Sequence, residues 1–164
     1  MLNKNPWIGL ASYDETIVKE GYLFCGRHQS VADLFAKIDN NICTTLYGKS
    51  GIGKTSLVQA GLFPKLRANG YLPVMLRLGL IEDGCHAKTV TDAIKDAVRS
   101  VGGYCNGDYP ECRPDDVSYL YRFFQSVSFF SANGKILFPV IVLDQFEELY
   151  FKGKKSVELL LRQL

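Results

Sequence analysis

Eight consecutive residues, Gly48-Lys49-Ser50-Gly51-Ile52-Gly53-Lys54-Thr55, carry the densest chemistry in the chain. They fit GxxxxGK[ST], a loop that cradles phosphate with its own backbone. Three glycines let N–H groups turn inward and approach anionic oxygens in dihedrals that a Cβ would obstruct. The candidate nucleotide-binding set is therefore Gly48, Ser50, Gly51, Ile52, Gly53, Lys54, Thr55 and Ser56. In this pattern the lysine, Lys54, reaches the β and γ phosphates, the Thr55 hydroxyl ligates magnesium, and the following helix offers its free N–H groups and positive dipole end. The plainer alternative is a glycine-rich turn.

A second chemical segment is Val140-Ile141-Val142-Leu143-Asp144-Gln145-Phe146-Glu147-Glu148. Four apolar residues deliver Asp144 to the C-terminal end of a buried strand, where open parallel sheets bind ligands. Asp144 thus suits the magnesium shell, as a Walker B acid to the Walker A loop at 48–55, and its structural alternative is a helix N-cap. Glu147 and Glu148 are the candidate catalytic pair, because a carboxylate three or four residues past the strand end lies on the rim of the γ phosphate and can polarise or deprotonate water. A solvated helix face explains them equally well.

These residues need elements to hold them, and hydrophobic periodicity supplies a set. Val31, Leu34, Phe35 and Ile38 make one stripe of a helix over His28–Asn40. Asn41–Tyr47 reads as a buried parallel strand leading into the loop. Helices are predicted over Thr55–Leu66 and Thr89–Val101, with a strand over Leu72–Leu78 between them. After a turn-rich stretch at 102–114, a helix with Asp115 and Asp116 in its first turn carries Leu120, Phe123, Phe124, Val127 and Phe130, read as core rather than as a membrane or partner surface. Ile136–Leu143 is the second Walker strand, followed by a helix or turn to Tyr150 and a helical segment from Lys154 to Leu164. A short helix is expected near Asp14–Glu20. Alternating elements of this kind predict an α/β fold with a mainly parallel sheet. Residues 1–27 form a preamble and 28–164 the core.

Composition narrows the function classes. A chain of 164 residues that is 47% hydrophobic can bury one core, and 19 basic against 17 acidic residues leave a net charge of +2. That balance fits neither a disordered chain nor an electrostatic nucleic-acid binder. The longest apolar run, Ile136–Leu143, is broken by Pro139 and falls far short of the roughly 20 residues of a membrane span. The N-terminus lacks a signal-type apolar region, so a cytoplasmic protein is expected. The five cysteines include no CxxC pair, and the spacing of Cys85, His86, Cys105 and Cys112 matches no familiar zinc pattern.

On these residues the chain resembles the STAND class of P-loop NTPases, in particular bacterial novel STAND domains. Pro6-Trp7-Ile8-Gly9-Leu10 with Tyr13 looks like their opening motif, and Phe24-Cys25-Gly26-Arg27 like their GR motif. Gly61-Leu62-Phe63-Pro64-Lys65-Leu66 is similar to their continuation of the loop helix, and Asp144-Gln145-Phe146-Glu147-Glu148 to their DQFEE segment. His28 stands where the family usually has glutamate. The resemblance implies a P-loop NTPase three-layer αβα sandwich, incomplete at the C-terminus, and an ATP/ADP-dependent switch with Mg2+, in which Arg27 belongs to the nucleotide pocket and the two glutamates to hydrolysis. It implies self-association or further domains in a larger chain, of which these residues are the N-terminal part. Weak or no turnover is then expected of the piece alone. Two other readings stay open: a small-molecule or nucleotide kinase, disfavoured because only Arg162 follows the Walker B strand as a lid arginine, and an interaction module that keeps the loop without catalysis. Arg77, Arg99, Arg113 and Arg122 include no residue singled out as a trans-acting finger.

Overall fold

The computed structural model describes residues 26–77, 86–113 and 116–148. The expected helices at Asp14–Glu20 and Lys154–Leu164, and Asp115, lie outside the described residues. The chain divides into two compact units, Met1–Asn69 and Gly70–Leu164.

The first unit is helical. Helix α1 (His28–Asn40) occupies the span its apolar stripe predicts and buries Val31 and Leu34. It opens at Arg27, whose carbonyl accepts the Val31 N–H at 3.0 Å. It closes where Asn41 turns extended at φ −138° and ψ 141°, with the Asn40 and Asn41 side-chain amides donating to the Ala36 and Lys37 carbonyls, each at 2.7 Å. A second helical run begins with α2 (Lys54–Ser56), widens into a π-helical segment at Leu57–Leu62 and returns to α geometry in α3 (Phe63–Ala68). Pro64 accounts for the widening. Proline has no N–H to give and its ring collides with the carbonyl four residues back, here that of Ala60. The π turn lets the Phe63 N–H reach the Val58 carbonyl five residues back instead. Leu57, Val58, Ala60 and Leu62 are buried along this segment, which packs against α1.

Asn41–Tyr47, expected as a buried parallel strand, forms no strand. Ile42 is fully exposed and Tyr47 is 89% exposed. β-branched and apolar residues favour a strand only when a pleated neighbour covers one face, and the first unit contains no strand among its described residues to do so.

The second unit is mixed α/β. Its elements are β1 (Tyr71–Arg77), α4 (His86–Ser100), β2 (Tyr104–Gly107), α5 (Tyr119–Ser126), β3 (Val127–Phe130) and β4 (Phe138–Asp144). β1 and β4 pair in parallel, from Tyr71 opposite Phe138 to Arg77 opposite Asp144. This two-stranded sheet is the parallel core that the sequence anticipates, smaller than a full three-layer sheet. Alternate residues Leu72, Val74 and Leu76 are buried from β1, and α4 lays Val90, Ile94 and Val98 into the same cluster. Val90, Ile94 and Val98 recur at four-residue spacing on one face of α4, while Val101, at the end of the predicted helix, lies past Ser100 and is exposed. Thr91, also fully buried, is satisfied by the Lys88 carbonyl at 2.9 Å and the Tyr119 hydroxyl at 3.3 Å.

The segment after α4 departs from expectation. The predicted helix through Phe130 stops at Ser126, and Val127–Phe130 pairs antiparallel with β2, which lies within the stretch read as turns. Val127 and Phe129 are buried while Ser128 is exposed, a period of two that overlies the helical spacing of Leu120, Phe123 and Val127. Asp116 precedes α5 instead of sitting in its first turn, and there its carboxylate accepts both the Ser118 N–H at 3.0 Å and the Ser118 hydroxyl at 2.8 Å, with Arg122 as ion-pair partner. The Ser118 hydroxyl above all, with the Ser118 amide and Arg122, holds the Asp116 carboxyl below the usual carboxylate range. Among the described residues no helix is long and apolar enough to cross a membrane.

Candidate functional site

The first unit assembles nine of the candidate residues around one loop. Gly51 and Gly53 take positive φ values of 77° and 83°, left-handed conformations that glycine enters without steric cost. Gly53 is the N-cap of α2, and the Leu57 N–H bonds to its carbonyl at 2.9 Å. Gly48, Ser50 and Ile52 lie in the loop, and Lys54, Thr55 and Ser56 form the first helical turn. The Lys54 ammonium is turned back on the loop, donating to the Gly48 carbonyl at 2.9 Å and the Lys49 carbonyl at 3.3 Å. Arg27, 25 residues earlier, donates from Nη2 to the Ile52 carbonyl at 2.6 Å. Beside the loop opens a cleft of about 340 Å³ whose lining includes Arg27, Asp33, Lys37, Tyr47, Ile52 and Lys54.

This donor set fits a polyphosphate. Two left-handed glycines, N–H groups at a helix start and an ammonium all favour an anion. Lys54 now spends its charge on neutral carbonyls, and a phosphate oxygen offers a stronger, charge-assisted partner.

The second unit carries Asp144, Glu147 and Glu148. Asp144 ends β4, and a turn follows in which the Glu148 N–H bonds to the Gln145 carbonyl at 2.9 Å. Glu147 is exposed and Glu148 half-buried. Two features here escaped sequence reasoning. Gln145 holds φ 53°, the left-handed region rarely entered by a residue with a side chain, and its Oε1 is buried with no hydrogen-bond partner among the described residues. Arg77 occupies the same rung as Asp144 on the neighbouring strand, which puts a cation beside the acid at the C-terminal end of the sheet. Strand register could have revealed the second; no sequence signal announces the first, since glutamine is not a turn former.

Thr55 and Asp144 are hard oxygen donors of the kind Mg2+ takes, and they belong to different units. Among the described residues no three His, Cys, Asp or Glu side chains gather into a metal-holding group. Cys43 and Cys112 are exposed free thiols and Cys105 a half-buried one. The family model described as Novel STAND NTPase 1 matches residues 6–164. No curated protein and no solved structure matches the chain.

Proposed function

Because the chain belongs to the novel STAND NTPase 1 family, we propose that it is the Mg-ATP-binding P-loop part of a signalling ATPase, a nucleotide-dependent switch with weak or no hydrolysis by these residues alone. One observation carries the reading: a loop with Gly51 and Gly53 left-handed feeds a helix whose first residue, Lys54, points its ammonium back at the loop carbonyls. The same group that bridges Gly48 and Lys49 would pass to the β and γ phosphates, and the N–H groups from Gly51 to Ser56 would receive the oxygens. The fold this reading implies is a three-layer αβα sandwich with a mainly parallel sheet, which takes its ligand beyond the C-terminal ends of the strands, the end at which β4 carries Asp144.

Thr55 and Asp144 are the residues that would hold magnesium, and the ion would supply charge neutralisation to the phosphates. Of the two glutamates, Glu148 is the better placed to orient water, being half-buried where Glu147 is exposed. ATP and ADP would be told apart by the γ phosphate that Lys54 reaches. Self-association, or further domains of a larger chain, would then read the difference.

The test is a thermal-shift titration with magnesium and ATP, ADP or GTP. Ligand at 100 times its dissociation constant adds about 2.7 kcal/mol, roughly 5–10 °C in melting temperature at this size. The expected result is a shift with ATP and ADP that Lys54→Ala abolishes. A folded protein that shifts with no nucleotide would sink the proposal.

A further inference from the structure

Arg27 reaches the phosphate loop in a particular way. Its backbone is fixed at the start of α1, where its carbonyl holds the Val31 N–H at 3.0 Å. Its side chain crosses to the loop and gives an Nη2 hydrogen to the Ile52 carbonyl at 2.6 Å. Both terminal nitrogens of the guanidinium lie 3.8 Å from where a Cβ on Gly53 would stand, so the planar group covers that face of the Gly53 α-carbon.

The bonded carbonyl is half of a peptide unit whose other half is the Gly53 N–H. In a trans peptide the C=O and N–H point in opposite directions, and the chain has no cis bond among its described residues. Pinning the Ile52 oxygen toward Arg27 therefore aims the Gly53 N–H away from Arg27. Without a pin this unit can turn about the Ile52 ψ and Gly53 φ bonds, and Gly53 leaves its left-handed conformation, φ 83°, at little cost. A loop whose donors rotate freely must be ordered when the anion arrives, and that ordering subtracts from affinity.

We propose that Arg27 is a positioning residue for the phosphate loop, one that sets the direction of the Gly53 N–H through the Ile52 carbonyl rather than by contacting the nucleoside. The inference rests on the phosphate-site reading above. It also separates from it, because a residue acting on the loop affects any polyphosphate, whereas a residue touching base or ribose affects only nucleotides.

The experiment compares ATP with inorganic tripolyphosphate, which has no nucleoside, each titrated with magnesium by calorimetry into the full chain and into Arg27→Ala and Arg27→Lys. Losing a charge-assisted hydrogen bond of this kind weakens binding by roughly tenfold or more. The expected result is the same loss for both ligands in Arg27→Ala, a smaller equal loss in Arg27→Lys, and partial recovery in Arg27→Ala when millimolar guanidinium is added, a recovery that a purely structural defect would not show. Should Arg27→Ala fail to fold, the Arg27→Lys ratio decides alone. A loss for ATP with tripolyphosphate unchanged overturns the proposal and makes Arg27 a nucleoside contact. Unchanged affinity for both also overturns it. Wild-type protein that binds neither ligand overturns the phosphate-site reading, and the inference with it.

Discussion

Two turns in this chain leave the right-handed regions of backbone space beside residues that the sequence marks for phosphate chemistry, and they do so by opposite means. In the loop at 48–55 the positive φ angles fall on Gly51 and Gly53, and the polar groups named there have partners: Lys54 on the Gly48 and Lys49 carbonyls, Arg27 on that of Ile52. At the end of β4 the positive φ falls on Gln145, whose side-chain carbonyl is buried with no partner among the described residues. The first turn is relaxed as it stands. The second carries two costs at one residue, of order 1–3 kcal/mol each for the backbone and for the orphaned acceptor. Such costs persist where surrounding structure enforces them.

The contrast can be broken most forcefully at Gly53. Gly53→Ala puts a side chain on φ 83°, at about 1–2 kcal/mol for the left-handed conformation. The added methyl meets Arg27 only at ordinary contact distance, 3.8 Å, so strain and not collision is the cause. The expected outcome is a melting temperature lower by roughly 2–8 °C and at least tenfold weaker Mg-ATP binding by calorimetry; unchanged binding would mean that the loop tolerates another conformation.

The second turn predicts the reverse sign. Gln145→Gly removes both the strained φ and the buried acceptor, and after subtracting the extra entropy glycine brings to the unfolded chain it should stabilise by about 1 kcal/mol, a rise of roughly 2–4 °C. Gln145→Ala, which removes only the acceptor, should give less. If Gln145→Gly destabilises, the turn is not strained in the way its φ indicates.

The start of α5 calibrates the scale, for there Asp116 satisfies the turn locally through Ser118 and Arg122. Since the folded carboxyl titrates below its usual position near 3.9, its contribution is present above that pH and is lost as pH falls through the lower folded value. Asp116→Asn should therefore cost little at pH 7, the group being solvent-screened, and flatten the decline in melting temperature below about pH 4. An equal decline in both proteins would place the acid sensitivity elsewhere.

How much of this was legible depended on how local the cause was. The helix over His28–Asn40 and the stripe Val90, Ile94 and Val98 are written in three- and four-residue spacing, and the structure follows them. The apolar run before Asp144 is likewise a strand, as is the predicted segment at Leu72, while the pairing of the two is written in neither. Asn41–Tyr47 misled because strand-forming residues state a preference that only a neighbouring strand can satisfy. Val127 and Phe130 misled because a spacing of three or four fits a helix stripe, while Ser128 and Phe129 between them fit a strand equally. At the candidate site, the loop was legible because glycines name their own dihedrals. The strain at Gln145 was not, since nothing in a glutamine records the angle its neighbours impose.

The parallel sheet has a consequence for how the chain comes to be made. Every rung joins a residue of β1 to one of β4, and α4, β2, α5 and β3 all lie between them in the chain. As the polypeptide leaves the ribosome from its N-terminus, β1 emerges with Leu72, Val74 and Leu76 uncovered and must wait for four further elements before its partner exists. Long-range pairings of this kind form slowly and leave a sticky strand exposed in the meantime. Pro73 in β1 and Pro139 in β4 withhold a donor from any stray strand that pairs there, so the prolines that look out of place in a sheet guard the interval before it closes.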